Sequence, residues 1–363
     1  MIRPPEYIRS IAPYVPGKPV EELRRELGIG DAVKLASNEN PLGPSPMAVE
    51  AVRSAAGGVN RYPDGSGFYL KNALSEKLNV DQECLITGNG SNEIIDIAVR
   101  TFMCAGDEAV MGTPSFVVYP LAVQSVGARG IQVPLKEWRH DLRAMADEIT
   151  ERTRVVFVAN PNNPTGTINS AGEFDDFMQR VPDGVLVVVD EAYREYVQDG
   201  GYPDTMEYLR AGRDILILRT FSKVYGLAGL RIGYGISNRE IVREMEKVRE
   251  PFNVSSVAQA AAIAALGDDA HVERSVSLNE EGKEYLYAEL QRLGIGFLAT
   301  EANFVYVMLG RPVASELYGR LLEEGVIIRP VGTDAVRITI GLPEENRLLV
   351  EALQRVMQGG LDL

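Results

Sequence analysis

The stretch TFSKVYGLAGLRIGYG, residues 220–235, sets one lysine, Lys223, among hydroxyls, small residues and an arginine, directly after an apolar run at 215–218. A continuous apolar run of strand length reads as a strand buried on both faces. Lys223 then falls in the loop just past a strand end, where open α/β sheets bind their ligands. Thr220 and Ser222 precede the lysine and Arg231 follows it. Hydroxyls beside a guanidinium make a grip for phosphate. Gly226 and Gly229 are expected to let the backbone pass close to a bound ligand. An amine next to an anion site points to pyridoxal 5'-phosphate held as a Schiff base on Lys223. A Ser-Lys pair alone would read as a solvated loop lysine; the whole stretch favours a site.

A chain of 363 residues can bury a large core and suggests two to three structural units. Its net charge of -14 works against nucleic-acid or anionic-membrane partners, so anionic substrates need a local arginine cluster. Cys84 and Cys104 cannot build a disulfide framework, and their apolar neighbours suggest buried free thiols. No apolar run approaches the roughly 20 residues of a membrane span, and no signal peptide stands out, so a cytoplasmic location is expected.

From residue 84 onward, short apolar runs alternate with amphipathic stretches, which predicts α/β architecture with a mainly parallel sheet. Seven strands are expected, at 85–87, 108–111, 130–133, 155–159, 185–189, 215–218 and 232–235. Pro251 should end or kink a helical region at 238–266. After His271 the texture changes to α+β, with strands expected at 304–307 and 336–340. The expected division is an arm at 1–33 that completes a small domain, a large cofactor domain at 34–265, and the small C-terminal α+β domain at 266–363.

Several motifs sit at the ends of these strands. GNGSNEIID (88–96) opens a helix, with Gly90, Ser91 and Asn92 supplying a close approach and a cap for an anion. The run lacks the third glycine of a dinucleotide fingerprint, although an ordinary capped helix stays open. TPSFVVYP (113–120) puts Phe116 where a ring could lie on a cofactor's face; taken alone it reads as core. DEAY (190–193) ends the apolar run VLVVVD, and a carboxylate there is costly unless paired. The pyridine nitrogen of the cofactor would pair with Asp190, and Tyr193 could donate to the ring oxygen. A strand-end aspartate capping the next helix is the alternative.

These motifs together resemble fold-type I aminotransferases and, more narrowly, the histidinol-phosphate aminotransferase family, from Lys34 to about Gly341. The resemblance implies transfer of the amino group of L-histidinol phosphate to 2-oxoglutarate, giving imidazole acetol phosphate and glutamate in histidine biosynthesis. It implies that Asn163 of NPNNPTG (160–166) donates to the cofactor's ring oxygen. It implies a homodimer with shared sites, Tyr62 of RYPDGSG (61–67) reaching the neighbouring subunit's cofactor phosphate; a turn tyrosine covering apolar surface is the alternative. Arg337 of VRITIG (336–341) and Arg329 of GVIIRPVG (325–332) would hold the substrate's phosphate, helped by Tyr14, with Asn40 of KLASNENPLGPSP (34–46) also at the substrate. An aromatic amino-acid aminotransferase or a decarboxylase of the same fold remains open, and a non-catalytic regulator is disfavoured because Lys223, Asp190 and Tyr193 are all present. No metal is expected.

Overall fold

The computed structural model describes residues 2–13, 17–27 and 32–363. Its strands are β1 (Val33–Lys34), β2 (Leu85–Gly88), β3 (Glu108–Thr113), β4 (Arg129–Pro134), β5 (Thr153–Ala159), β6 (Leu186–Asp190), β7 (Ile215–Thr220), β8 (Gly233–Ser237), β9 (Gly296–Phe297), β10 (Phe304–Met308), β11 (Val326–Ile327), β12 (Arg329–Val331) and β13 (Ala335–Thr339). All seven strands expected before residue 240 fall in one sheet, ordered β2-β8-β7-β6-β5-β3-β4. Only β8 opposes its neighbours, pairing antiparallel with β7 and β2.

The central strands are apolar at consecutive positions because they are covered on both faces. Val156, Val158, Val187, Val189, Ile215 and Ile217 belong to the core on one side. Their alternates Val155, Phe157, Leu186, Val188, Leu216 and Leu218 belong to the core on the other. Each such side chain contributes about 1.5–3 kcal/mol relative to exposure. Helix Ser91–Phe102 covers the second face with Ile94, Ile95 and Ala98. By the same alternation Asp190 shares that face with Val188, which aims its carboxylate toward the helix at Val118–Ser125.

Pro251 lies between helices Arg239–Glu246 and Ser256–Leu266, so the long helical stretch is interrupted as its ring requires. The helix at Asp269–Leu293 then leads into a smaller antiparallel sheet, ordered β12-β13-β10-β9. Val305, Val307, Val336 and Ile338 pack there against Leu349 and Leu353 of helix Pro343–Gln358. The opposite face, with Phe304, Tyr306 and Arg337, looks toward the large sheet. β9, β11 and β12, two or three residues long, had no signal in the sequence, whereas the strand start expected at Lys34 corresponds to β1.

The N-terminal arm divides its contacts. Gln124 donates from Nε2 to Tyr7 O and Ser10 Oγ, laying the first helix, Glu6–Arg9, against helix Val118–Ser125 beside the seven-stranded sheet. Farther on, Leu23 packs with Ala36 and Ile327, and β1 pairs parallel with β11. β1 therefore joins the elements around the smaller sheet, whereas the first helix lies against helix Val118–Ser125. Among the described residues no helix is long and apolar enough to cross a membrane.

Candidate active site

β6 ends at Asp190, and pairing of Asp190 with Leu218 brings the carboxyl ends of β6 and β7 to one level. The lysine loop after β7 therefore stands over the aspartate. Behind them, buried Glu191 accepts from Arg219 Nε at 2.8 Å and from Thr205 Oγ1 at 2.6 Å. Removing one partner of a buried ion pair costs about 3–5 kcal/mol, so this pair holds the two strand ends together.

A cavity of about 260 Å³ opens above these ends. On its floor Asp190 is 6% exposed. Its Oδ2 accepts from the Tyr119 hydroxyl at 2.8 Å, and its Oδ1 from Ala192 N at 3.2 Å. Burial pushes its pKa up to about 6, against the opposing pull of Tyr119 and the amide. Lys223 Nζ donates to Ser37 O at 3.2 Å and lies 5.5 Å from the centre of the Tyr193 ring. Burial, reinforced by the Arg337 charge, brings its pKa down to about 7. A large neutral fraction makes that amine a nucleophile near neutral pH.

The walls come from loops that the two sheets hold apart. Tyr193 accepts from Asn38 Nδ2 at 2.9 Å and packs edge-on against Phe304. Asn162 and Asn163 divide the labour of their turn. Asn162 braces it, donating to Pro114 O and Thr165 Oγ1 and accepting from Ser115. Asn163 faces the cavity, its Oδ1 accepting from Arg337 Nη1 at 2.6 Å. Arg337 also donates to Ala36 O at 2.6 Å and lies over the Phe304 ring. Arg329 is its direct partner across β12 and β13, so the two guanidinium groups enter one cavity from adjacent strands. Phe116 lines the wall, edge-on to Tyr119 at 5.5 Å.

At the other end lie Ser91, Asn92, Thr220, Ser222 and Arg231. Gly90 is the N-cap of helix Ser91–Phe102, with φ +77 and no side-chain cap, so neither Ser91 nor Asn92 supplies the expected cap. A Cβ on Gly90 would sit 2.3 Å from Arg231 Nη2. Only glycine lets the guanidinium lie against that helix end. Arg231 itself has φ +55 and donates from Nη1 to Ala228 O and Ser222 Oγ.

Several expectations need correcting. Gly226 does not approach a ligand: its added Cβ would meet Gly43 O at 2.1 Å, so it serves backbone packing, and a Cβ on Gly229 would meet nothing within 4 Å. Asn40 is not in the cavity lining; Nδ2 donates to Val224 O and Ser275 Oγ, and Oδ1 accepts from Leu42 N, which uses its amide in bracing the lysine loop. Tyr62, expected at a neighbouring subunit's site, needs no correction: it lies away from this chain's own cavity, 84% exposed and stacked on Phe252. Tyr14 lies outside the described residues. Cys104 is exposed and Cys84 half-buried, rather than both buried. Among the described residues no cluster of metal-ligating side chains occurs. Tyr119 and Asn38, both touching expected site residues, were missed, although Tyr119 stands three places after Phe116 in the same TPSFVVYP stretch.

The family described as Aminotransferase class I and II matches residues 30–353. The chain belongs to that family. Histidinol-phosphate aminotransferase of Moorella thermoacetica is 52% identical over 97% of this chain and 92% of its own length. Histidinol-phosphate aminotransferase 2 of Pseudomonas fluorescens Pf0-1 is 49% identical over 97% of each. The crystal structure of histidinol-phosphate aminotransferase from Sinorhizobium meliloti in complex with pyridoxal-5'-phosphate superposes with a TM-score of 0.92 at 30% identity, covering 99% of this chain and 98% of that one. For a class I and II aminotransferase, the seven-stranded sheet with its smaller antiparallel partner is the fold-type I architecture expected from the sequence.

Proposed function

We propose that this chain is a histidinol-phosphate aminotransferase, moving the amino group of L-histidinol phosphate to 2-oxoglutarate with pyridoxal 5'-phosphate at Lys223. The observation that carries the reading is the cavity's charge order: a buried carboxylate below, a depressed lysine above it, a guanidinium against a helix N-terminus at one end and two cross-strand arginines at the other. The relatives at about 50% identity support the same substrate.

The residues present fit the cofactor. Asp190 has a pKa raised by burial, against the pull of Tyr119, the Ala192 amide and the Lys223 charge, and a protonated ring nitrogen would give its carboxylate an ion-pair partner. The Gly90 cradle, Arg231 and the hydroxyls of Ser91, Thr220 and Ser222 suit a phosphate, with Asn92 beside them. Tyr193 and the amide N–H groups of Asn163 would hold the ring oxygen, and Phe116 the ring face. Bound there, the cofactor supplies an electron sink for the bond broken at the substrate's amino-bearing carbon. Lys223 would take the proton from that carbon as general base and return it as acid. Arg337 and Arg329 hold the substrate's phosphate and accept the carboxylate of glutamate in the second half reaction. Tyr14 is the third phosphate ligand.

The active form is a homodimer. Met47, Val59, Tyr62, Phe68, Tyr69 and Phe252 are large apolar side chains left exposed on one chain, which supports coverage by a second copy. Tyr62 then reaches the partner's phosphate end.

The test is a comparison of half-reaction rates with histidinol phosphate, phenylalanine and histidine. Histidinol phosphate should lead by at least about tenfold in kcat/KM, the effect of one charge-assisted contact. Equal rates with phenylalanine would instead make the enzyme an aromatic aminotransferase.

A further inference from the structure

The loop at residues 37–40 is tied to distant segments of the chain at every position but Glu39. Ser37 O accepts from Lys223 Nζ. Asn38 holds a left-handed backbone at φ 55, fixed by bonds from its N to Thr339 Oγ1 (2.8 Å), from its Nδ2 to Tyr193, and from Asn303 Nδ2 to its O. Asn40 is anchored to Val224 and Ser275. A non-glycine residue persists in that conformation when its surroundings over-determine it, and such residues gather where a neighbour must be aimed. The neighbour is Glu39, a cavity-lining residue whose side chain is 46% exposed, meets Lys34 at 2.9 Å and acts by its charge on Lys223.

Glu39 and Asp190 are the two carboxylates among the cavity's lining residues. Asp190 lies on the floor, held by Tyr119. On the histidinol-phosphate reading, the substrate's phosphate faces Arg329 and Arg337 and its amine faces Lys223, which leaves the nitrogen heterocycle to be matched. A ring bearing N–H groups, and a positive charge when protonated, calls for an acceptor with negative charge. We propose that Glu39 is the specificity residue for the heterocycle of the amino donor, accepting a hydrogen bond from a ring N–H. The proposal rests on the substrate reading above and adds the group that distinguishes the ring.

The experiment uses the PLP-loaded enzyme and its Glu39→Gln and Lys34→Met variants, with single-turnover kinetics on L-histidinol phosphate, on a phosphorylated amino alcohol lacking the ring, and on L-glutamate. Glu39→Gln should raise KM for histidinol phosphate by roughly tenfold to a hundredfold, as expected for losing a charged hydrogen bond, with kcat much less affected. Its losses on the ringless donor and on glutamate should be at least about fivefold smaller than that. Lys34→Met should not reproduce the pattern. Equal losses on all three substrates, or the same losses in Lys34→Met, would make Glu39 a structural partner of Lys34 and overturn the proposal, as would an unchanged KM in Glu39→Gln. Failure of the wild-type enzyme to turn over histidinol phosphate would remove the substrate reading and this proposal together, so the two failures are told apart.

Discussion

Asp190 is the side chain whose ionisation most directly reports the chemistry. Its folded pKa is raised to about 6 by burial, so the folded apo-protein keeps a proton that the unfolded chain has released. Stability contributed by this group is therefore present at low pH and lost as pH rises from about 4 through about 6. Apo Asp190→Asn should be more stable than apo wild type at pH 7 to 8, by up to about 3 kcal/mol, and no more stable below about pH 4. Urea unfolding across this pH range measures it, and a gain that grew toward low pH would contradict the assignment. Loading with cofactor should cancel the gain, because the ring nitrogen then favours the carboxylate. Tyr119 bears on the same atom. Tyr119→Phe removes the 2.8 Å donor to Oδ2 while keeping the stacking on Phe157. A hydrogen bond to a charged group is worth about 1.5–3 kcal/mol, so kcat should drop by roughly tenfold or more. Turnover within about twofold of wild type would show that Asp190 does not need the hydroxyl.

Two glycines next to the strand ends look alike in sequence and act on different elements. At Gly90 a Cβ meets the far end of the Arg231 side chain, which can swing away. At Gly226 it meets Gly43 O at 2.1 Å, a backbone atom of a packed loop. Both hold positive φ, +77 and +70, and an L-residue there costs about 1–3 kcal/mol. Gly90→Ala should lower the midpoint of thermal unfolding only slightly yet weaken pyridoxal phosphate binding by about tenfold or more, since Arg231 is displaced from the helix N-terminus. Gly226→Ala should do the reverse first, lowering thermal stability because two segments must separate. Fluorescence titration with cofactor and thermal melts on both variants separate the two; an unchanged cofactor affinity in Gly90→Ala would exclude the cradle.

The assembly supplies the remaining test. Tyr62 is exposed beside Phe252 and away from the chain's own cavity, so a role at a cofactor's phosphate requires a second copy. Lys223→Ala and Tyr62→Ala homodimers should each be impaired. A heterodimer of one chain of each would contain one site with Lys223 of one chain and Tyr62 of the other both intact. Co-expression with two affinity tags, followed by an activity assay, should recover about half of wild-type turnover, since one of two sites is complete. Recovery no better than the average of the two parent homodimers would place Tyr62 in no shared site.

Local pattern carried much of the result. Apolar runs with turn residues after them were enough for the large sheet, because its central strands, buried on both faces, have no polar alternates to blur them, while the mostly exposed edge strand β4 was legible only by its place in the alternation. Lys223 and Asp190 stood out as candidates because they lie past or at the end of such a run, where a buried polar residue has a high cost to explain, whereas Asn163 was marked by the family resemblance alone. Tyr119 and Asn38 were not legible as site residues, since their partners lie between 71 and 301 positions away in the chain. Asn40 and Gly226 show the converse: their chemistry suited a ligand, but nearby backbone of other segments had already taken them. Arg329 and Arg337 became a pair through antiparallel register, eight residues of sequence being folded into one cross-strand contact. Side-chain type and period decide which strands and loops form; which polar group faces the cavity and which braces its wall depends on segments that only long-range packing brings together.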